Sequence, residues 1–440
     1  MTAGAAGTVR HPTPDDPTPD PMPALGRCIA VDVGSFAARY WGARPLLSRA
    51  ERLAGGFTDL LDLDAADELL SRRGLRTPFL RIARDGEVLD SRQFTGPGGV
   101  GAEIADQVRE DEVARLFAGG ATVVLQGLHR NHPPVIDFVR RLGTELGHPC
   151  QANAYLTPPS SRGFAAHYDV HDVFVLQLAG EKRWRVHRPV LESPLRSQPW
   201  QQHRSAVAAA AGREPVIDEV LRPGDALYLP RGYLHAATAL GEVSAHLTVG
   251  IHTVTRHALA EEVTAAVCAA LAADPRLRAS LPPGIDVSDP AQLAPHLDAV
   301  RAAIAGALAS CTAESVARAV RGRVWQGTRP EPVGPLAHAR FSAELGTGDT
   351  VRLRDGLRHR LVQQRPEPGD AEPGGGLVLE LPDRTVTFPA GTGPALRLLL
   401  SGAPIRVGDL PGLDGPSQLV LVRRLLREGV LVGARGPREW

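Results

Sequence analysis

The sequence predicts an α+β protein, because three stretches of different character follow one another. Residues 151–252 hold short strand-like runs punctuated by Gly and Pro, which favours a β-sandwich or barrel. Residues 256–322 are rich in Ala, Leu and Val at helical spacing, and a third stretch mixes strand-like and helical runs. We therefore expect four segments: a disordered tail at 1–24, a β-rich domain at 25–255, a helical region at 256–330 and a C-terminal unit at 331–440.

The composition is that of a neutral globular protein. The 440 residues include 49 basic and 49 acidic side chains, so the formal net charge of zero argues against a general polyanion binder. No apolar run approaches the length of a membrane span, and no signal segment is recognisable. The four cysteines form no CxxC pair, which excludes a disulfide scaffold and a zinc finger and favours a cytoplasmic location.

The segments before the β-rich stretch mix both kinds of structure. The Pro-dense residues 1–24 predict a disordered tail. Within 28–150, apolar spacing predicts helices over 57–74 and 133–147 and short strands over 78–86 and 121–128.

The helices of the 256–330 region are apolar nearly all round, so they must bury those surfaces. Packing on the β-rich domain is one interpretation, and a homodimer interface is the other.

The C-terminal unit is predicted to resemble a winged-helix domain. PALRLLLSG, IRVGDLPG and SQLVLVRRLLREG predict three short helices, VLVG predicts a closing strand, and PEPGDAEPGGG at 366–376 predicts a flexible loop. The last helix carries Arg423, Arg424 and Arg427, which is compatible with nucleic-acid recognition. A solvated amphipathic face is the favoured interpretation, since the basic set is small.

A metal site is predicted from two histidines and one carboxylate. His167 and Asp169 form an H-Y-D triplet, and residues two apart on a strand point to the same side. His235 follows 66 residues later, after the strand DALYLP. Two His and one carboxylate make the facial triad of non-haem Fe(II) oxygenases, which leaves coordination positions open. His246 is the alternative third ligand, and His171 is expected either on the ligand face or on the substrate side.

Lys182 is the only lysine in the chain, whereas the other basic residues are arginines. The arginine bias itself has a simple cause in base composition, but a site that needs a compact ammonium would retain its lysine. The Gly-Glu pair before Lys182 predicts a hairpin that places this residue on the strand beside His167 and Asp169. A buried ammonium needs an anion, and the distal carboxylate of 2-oxoglutarate would provide one.

The run NAYLTPPSSRGFAAHYDVHDVFVLQLAGEKRWRV, with LRPGDALYLPRGYLHAA and SAHLTVG, resembles the JmjC-type ribosomal oxygenases. This family comprises Fe(II)- and 2-oxoglutarate-dependent hydroxylases of ribosomal proteins. The resemblance implies a double-stranded β-helix of the cupin type, a helical dimerisation region and a C-terminal winged helix. It also implies that O2 is consumed and that the substrate is an Arg or His side chain of a ribosomal protein.

The resemblance assigns roles residue by residue. It carries the metal ligands onto His167, Asp169 and His235 and the co-substrate lysine onto Lys182. Asn153 and Tyr155 match positions that line the co-substrate and substrate pocket, and Ser244 matches a further pocket position. No catalytic base beyond the metal ligands is required. The carboxylates of Asp172, Glu181 and Asp225 are candidates to meet a cationic substrate.

Two other functions stay open at the level of sequence. The chain could hydroxylate a small metabolite or peptide in biosynthesis, or be a cupin enzyme that does not use 2-oxoglutarate. It could also be a metal-binding cupin regulator without catalysis, coupled to a DNA-binding winged helix.

Overall fold

The computed structural model describes residues 23–84, 86–159, 161, 165–363 and 376–434. The predicted tail at 1–24 and the predicted loop at 366–376 therefore lie almost entirely outside the described residues. Among the described helices, none is long and apolar enough to cross a membrane.

The β-rich domain consists of short helices around a large sheet. Its helices are α1 (Val33–Arg39), α2 (Leu63–Arg72), α3 (Glu110–Ala118), α4 (Leu128–Asn131), α5 (Pro133–Leu146) and α6 (Arg204–Ala211). Its strands are β1 (Leu46–Ser48), β2 (Leu80–Arg84), β3 (Glu87–Val88), β4 (Thr95–Gly96), β5 (Gln107–Val108), β6 (Thr122–Leu125), β7 (Cys150–Thr157), β8 (Asp172–His187), β9 (Ile217–Leu221), β10 (Ala226–Leu229) and β11 (Leu234–Ile251). The helices and strands predicted before residue 150 are thus present as α2, α5, β2 and β6.

Two long strands organise the sheet. Within the described residues, nine strands pair in the order β1-β10-β8-β11-β7-β6-β2-β3, with β9 also on β8. All these pairings are antiparallel. The first half of β8 pairs with β10 and its second half with β9, so β8 serves both parts of the curved sheet. This is the antiparallel, cupin-like architecture expected for the 25–255 segment.

The predicted hairpin before Lys182 is wrong. Residues 172–187 form one continuous strand that passes through Gly180, which has a φ of +60°. A Cβ at Gly180 would lie 2.2 Å from the carbonyl oxygen of Val243, so only glycine permits this close approach of β8 and β11. The Gly-Glu pair therefore marks an irregularity within a strand, where the β8–β11 register also shifts, and not a chain reversal.

The two faces of the sheet bury different groups. One face packs against the helices and carries Phe174, Leu176 and Leu247, all fully buried. The other face carries a smaller apolar cluster, which includes Val175 and Trp184. The polar site residues lie on this second, interior face, so the fold surrounds them with apolar side chains.

The helical region follows directly. It contains α7 (Arg256–Ala273), α8 (Pro290–Ser310) and α9 (Ala313–Gly327). Helix α9 begins after Thr312, which caps it: the hydroxyl of Thr312 accepts a hydrogen bond from the backbone N–H of Ser315. Val267 is the one buried residue of these three helices, and Leu297, Ile304 and Leu308 on α8 are exposed.

The C-terminal unit has its own core and two small antiparallel sheets. Its elements are α10 (Pro335–Glu344), β12 (Thr350–Leu353), β13 (Arg360–Gln363), β14 (Gly376–Glu380), β15 (Thr385–Pro389), α11 (Gly393–Leu399), β16 (Ile405–Arg406), α12 (Gly415–Arg427) and β17 (Leu431–Gly433). The sheets run β16-β12-β17 and β13-β14-β15. The helix predicted for IRVGDLPG is wrong, since these residues form β16 and one 3-10 turn. Ile405 pairs with Val351 instead, because sheet pairing outweighs weak local helical spacing.

Candidate metal and co-substrate site

A short antiparallel bridge brings the H-Y-D triplet next to His235, which is distant from it in the sequence. The backbone N–H of His167 donates to the carbonyl of His235 at 3.2 Å, and the reverse bond is 2.8 Å long. The backbone N–H of Gly232 donates to the carbonyl of Asp169 at 3.0 Å. The triplet is thus an extended segment with one bridge and not a full strand, yet it presents His167 and Asp169 to the same place.

The side chains of His167, Asp169 and His235 converge on one point. One ligand atom from each lies within 4.8 Å of the other two, and Nε2 of His235 is 3.8 Å from Oδ2 of Asp169. Both imidazoles are oriented by backbone carbonyls: Nδ1 of His167 lies 2.7 Å from the oxygen of Ala165, and Nδ1 of His235 lies 3.1 Å from that of Tyr233. A proton on each Nδ1 leaves the Nε2 lone pair for a metal ion.

The protonation states suit metal binding. Burial, reinforced by the neighbouring His167, lowers the pKa of His235 to about 4, so this imidazole is neutral at pH 7. Burial opposes ionisation of Asp169, but the imidazoles of His171, His235 and His167 hold its pKa below the usual value. The site therefore offers two imidazole nitrogens and one carboxylate, the donor set that a divalent first-row metal accepts with open positions left.

The alternative ligand His246 does not join this group. Among the described residues, only His167, Asp169 and His235 form a cluster with ligand spacing. The ring of His246 stacks on Tyr155 at 5.0 Å and meets the edge of Trp184 at 5.4 Å. Burial, followed by the charge of Lys182, lowers the pKa of His246 well below its ordinary value. His246 is thus a neutral wall residue of the interior.

His171 lies beyond the ligands and faces another histidine. Its ring meets that of His252 edge-on at 5.4 Å. It is outside the cluster that has ligand spacing, so it is not one of the three candidate ligands, and its place on the substrate side stays a prediction.

Lys182 is buried without an acidic partner. Its side chain is 2% exposed, and within the described residues its hydrogen-bond partner is the hydroxyl of Thr157, 3.0 Å from Nζ. Burial lowers the pKa of Lys182 to about 7. An ammonium held in an apolar interior by one neutral hydroxyl has unmet capacity for an anion. This is the observation that fits the distal carboxylate of 2-oxoglutarate.

Strand β7 supplies a row of side chains to the same interior face. Asn153, Tyr155 and Thr157 alternate with the buried core residues of the strand, so they share one side. The hydroxyl of Thr157 meets Lys182, and Tyr155 stacks on His246. The amide oxygen of Asn153 accepts a hydrogen bond of 3.0 Å from the backbone N–H of Gly127. Asn153 therefore uses part of its hydrogen-bonding capacity to hold the chain at Gly127 in place.

Ser244 is near the lysine but is engaged by a neighbour. It lies opposite Thr157 in the β7–β11 pairing and is fully buried. Its hydroxyl accepts a hydrogen bond of 2.9 Å from Nε2 of Gln177, which also bonds the carbonyls of Ala179 and Gly180. In this arrangement Ser244 supports the irregular part of β8 just before Lys182.

Arg81 is a site residue that the sequence reasoning missed. It lies on β2, hydrogen-bonds the Tyr155 side chain and contributes a positive charge near Asp169. Burial, then the charge of Asp169, raises the pKa of Tyr155 to about 12, so the phenol stays protonated. The alternation of PFLRIARDG could have placed Arg81 on the face opposite Leu80 and Ile82, but nothing local indicates which face meets the site.

The three carboxylates considered for a cationic substrate already have partners. Asp172 accepts from the hydroxyl of Tyr228 at 2.6 Å and from the backbone of Arg231 at 3.1 Å. Asp225 pairs with Arg49 at 3.0 Å. Glu181 pairs with Arg222 at 3.0 Å on the surface. Each of the three is therefore occupied by a structural contact.

Comparison with known proteins agrees with this geometry. A JmjC domain model matches residues 136–259, which contain the triad and Lys182. Human Ribosomal oxygenase 1 is 33% identical over 374 residues, which cover 72% of this chain and 54% of the human protein. A bifunctional lysine-specific demethylase and histidyl-hydroxylase NO66 from Drosophila persimilis is 44% identical over 102 residues, which cover 23% of this chain and 14% of that protein. The chain thus spans about half the length of the human relative and less of the other.

Solved structures share the fold. The crystal structure of the Escherichia coli ribosomal oxygenase YcfD aligns with a TM-score of 0.54 over 92% of this chain and 98% of that chain, at 20% identity. Another structure of YcfD, in complex with cobalt and 2-oxoglutarate, aligns equally well, at 20% identity over 92% of this chain and 99% of that chain.

Proposed function

The chain belongs to the JmjC-type ribosomal oxygenase family, and from that premise we propose that it is an Fe(II)- and 2-oxoglutarate-dependent hydroxylase of a protein side chain. The observation that carries the proposal is the pairing of the His167, Asp169 and His235 cluster with the buried, anion-lacking ammonium of Lys182. A metal-binding cupin without 2-oxoglutarate has no need of that lysine.

Each residue has a role in this account. His167, Asp169 and His235 would hold Fe(II), and Lys182 with Thr157 would bind the distal carboxylate of 2-oxoglutarate. Bound together, Fe(II) and 2-oxoglutarate supply hydroxylation of an unactivated C–H bond by O2, with release of succinate and CO2. The backbone carbonyls of Ala165 and Tyr233 fix the imidazole orientations. Tyr155, His246 and Trp184 line the interior and exclude water. No side chain needs to act as a general base.

Asn153, Tyr155 and Ser244 are proposed as pocket residues of different kinds. Tyr155 would contact the co-substrate or substrate directly, because it faces the interior between Arg81 and His246. Asn153 shares that face. Ser244 would act indirectly, through Gln177 and the backbone that leads to Lys182.

The substrate that fits best is a ribosomal protein, hydroxylated at an Arg or His side chain. The support is the family and the large additional surface of the helical region and the C-terminal unit, which a small-molecule enzyme would not need.

A homodimer and a cytoplasmic location complete the proposal. Exposed apolar side chains along α8, including Leu308 at 52% exposure, support a self-association surface. All four cysteines, each in the described part of the chain, are free thiols, which suits a reducing compartment.

Residues 331–440 are proposed to form a winged-helix domain, and the support is the presence of α11, α12 and β17. Nucleic-acid binding by α12 is not favoured, since Arg423 donates to the carbonyl of Leu345 and Arg424 pairs with Glu428.

Succinate formation from 2-oxoglutarate tests the proposal without knowledge of the substrate. The protein is loaded with Fe(II) without oxygen and then exposed to O2, and wild type is compared with His167→Ala and with His257→Ala, a control at an exposed histidine of α7. We expect succinate from wild type and His257→Ala only. Absence of succinate from wild type, even with ribosomal extract added, would overturn the proposal.

A further inference from the structure

A second cavity lies apart from the metal site, between the β-rich domain and the C-terminal unit. Its volume is about 400 Å³, and its walls come from α4 and α5, from residues 328–332 and from the C-terminal unit. A narrower extension of about 40 Å³ continues along α5 and shares His129, Arg130 and Arg329 with it. We call the two together the arginine cleft. None of its lining residues belongs to the metal triad.

The acidic side chains in the arginine cleft are already neutralised. Asp383 pairs with Arg384 at 2.7 Å, and Glu428 pairs with both Arg384 and Arg424 at 3.0 Å. Arg140, on the wall of the extension, pairs with Asp355. These ion pairs use up the negative charge near the cleft and also tie its walls together.

Four further arginines have no acidic partner there. Within the described residues, no hydrogen bond or ion pair joins the guanidinium group of Arg130, Arg329 or Arg358 to another group. The guanidinium of Arg354 donates only to the backbone carbonyls of Glu331 and Gly429.

Glu331, whose charge acts on Arg354, is already paired with another arginine. Its two oxygens are bound by Arg352, each at 2.8 Å. The arginine cleft therefore holds a local excess of positive charge in a chain whose net charge is zero.

Neighbouring charges act on one another in the cleft. Burial, and then the charge of Arg329, lowers the pKa of Arg130. Burial, and then the charges of Arg130 and Arg329, lowers the pKa of His129. Like charges at this proximity raise the free energy of the unliganded cleft, and an anion between them would relieve it.

We propose that the arginine cleft binds a phosphate-bearing anion through Arg130, Arg329, Arg354 and Arg358. Guanidinium groups form paired, charge-assisted hydrogen bonds with phosphate oxygens. The cavity volume falls within the range of small-ligand sites. Two sources share this chemistry, a small phosphorylated compound and the phosphodiester backbone of RNA. The proposal stands on the cleft alone and does not depend on the hydroxylase activity.

Two probes distinguish the sources in the full-length protein. Binding of a short fluorescent single-stranded RNA is followed by anisotropy at about 50 and about 200 mM salt, and inorganic pyrophosphate is titrated by calorimetry and as a competitor. The variant is the double substitution Arg130→Gln with Arg329→Gln. Arg278→Gln is the matched control, since it removes an exposed arginine from the connection after α7.

We expect the double variant to weaken binding of the effective probe by about tenfold or more, and to lower the salt dependence of RNA binding by about two charges. The control should bind as wild type does. RNA binding that pyrophosphate does not displace identifies the polymer backbone, whereas tight pyrophosphate binding identifies a small ligand. Binding of neither probe, or an equal loss in Arg278→Gln, would overturn the proposal. Unchanged circular dichroism and succinate formation show that the double variant is folded.

Discussion

Lys182 and Thr157 form a buried pair in which the ammonium donates a 3.0 Å hydrogen bond to the hydroxyl. The two residues come from β8 and β7, which are not adjacent strands, since β11 lies between them. The pair therefore spans the interior face and leaves a positive charge beside His246.

Removal of the ammonium should weaken binding of 2-oxoglutarate. A charge-assisted hydrogen bond contributes about 1.5–3 kcal/mol, so Lys182→Met should raise the KM for 2-oxoglutarate about tenfold to a hundredfold. Thr157→Val keeps the charge and should raise that KM by a smaller factor. Steady-state kinetics with varied 2-oxoglutarate measures both, and equal KM values in wild type and Lys182→Met would contradict the assignment.

The buried lysine should also make stability depend on pH. Its pKa of about 7 in the folded protein lies below the ordinary lysine value of 10.5, so the unfolded chain binds more protons between these values. The free energy of unfolding contributed by this group should therefore rise from pH 7 to about 10.5, and the penalty is fully present below pH 7. Thermal unfolding of wild type and Lys182→Met should show a gap in Tm that is largest near neutral pH and closes toward pH 10. A gap independent of pH would argue against a buried, titrating ammonium.

The third metal ligand can be decided by direct binding. His235→Ala should lower Co(II) affinity about a hundredfold or more, because it removes one of three protein donors. His246→Gln should retain binding, since this ring stacks on Tyr155 outside the cluster. Calorimetric titration with Co(II) measures both variants. Loss of binding in His246→Gln and retention in His235→Ala would reverse the assignment.

Gly180 should tolerate no side chain. Gly180→Ala combines a φ of +60° with a contact of 2.2 Å to the carbonyl oxygen of Val243, so we expect a loss of about 3 kcal/mol or more in stability. Gly241→Ala is the matched control: its φ is +66°, but nothing lies within 4 Å of the added Cβ. That control should lose only about 1–2 kcal/mol, the cost of the backbone conformation alone. Urea unfolding measures the difference, and equal losses would show that the close approach is unimportant.

The exposed face of α8 should mediate self-association. Leu308→Glu places a charge on a 52% exposed apolar position and should convert dimer to monomer, as measured by light scattering after size exclusion. Val100→Glu, at a fully exposed residue of the β-rich domain, should leave the mass unchanged. A monomeric wild type would contradict the proposed dimer.

The sequence predicts that the three triad side chains lie together, but it does not predict what surrounds them. His167, Asp169 and His235 could be grouped because strand periodicity and ligand chemistry agree on them. The hairpin predicted before Lys182 is wrong because a glycine inside a long strand and a glycine in a hairpin turn look alike in one sequence. The contact of Arg81 with Tyr155 cannot be read from the sequence, because it depends on the sheet register in which Val124 of β6 pairs with both residues. IRVGDLPG was mistaken for a helix because its pairing partner, Val351, lies more than fifty residues away.

In the proposed reaction, one oxygen atom of O2 enters the protein substrate and the other enters succinate. The direct measurement is to incubate the Fe(II)-loaded protein with 2-oxoglutarate, ribosomal protein extract and isotopically labelled O2, and to analyse succinate and tryptic peptides by mass spectrometry. The account predicts one labelled oxygen in succinate and one on a single Arg or His side chain, both lost in His167→Ala. Oxygen derived from water, or labelled succinate without a labelled peptide at any substrate concentration, would contradict it.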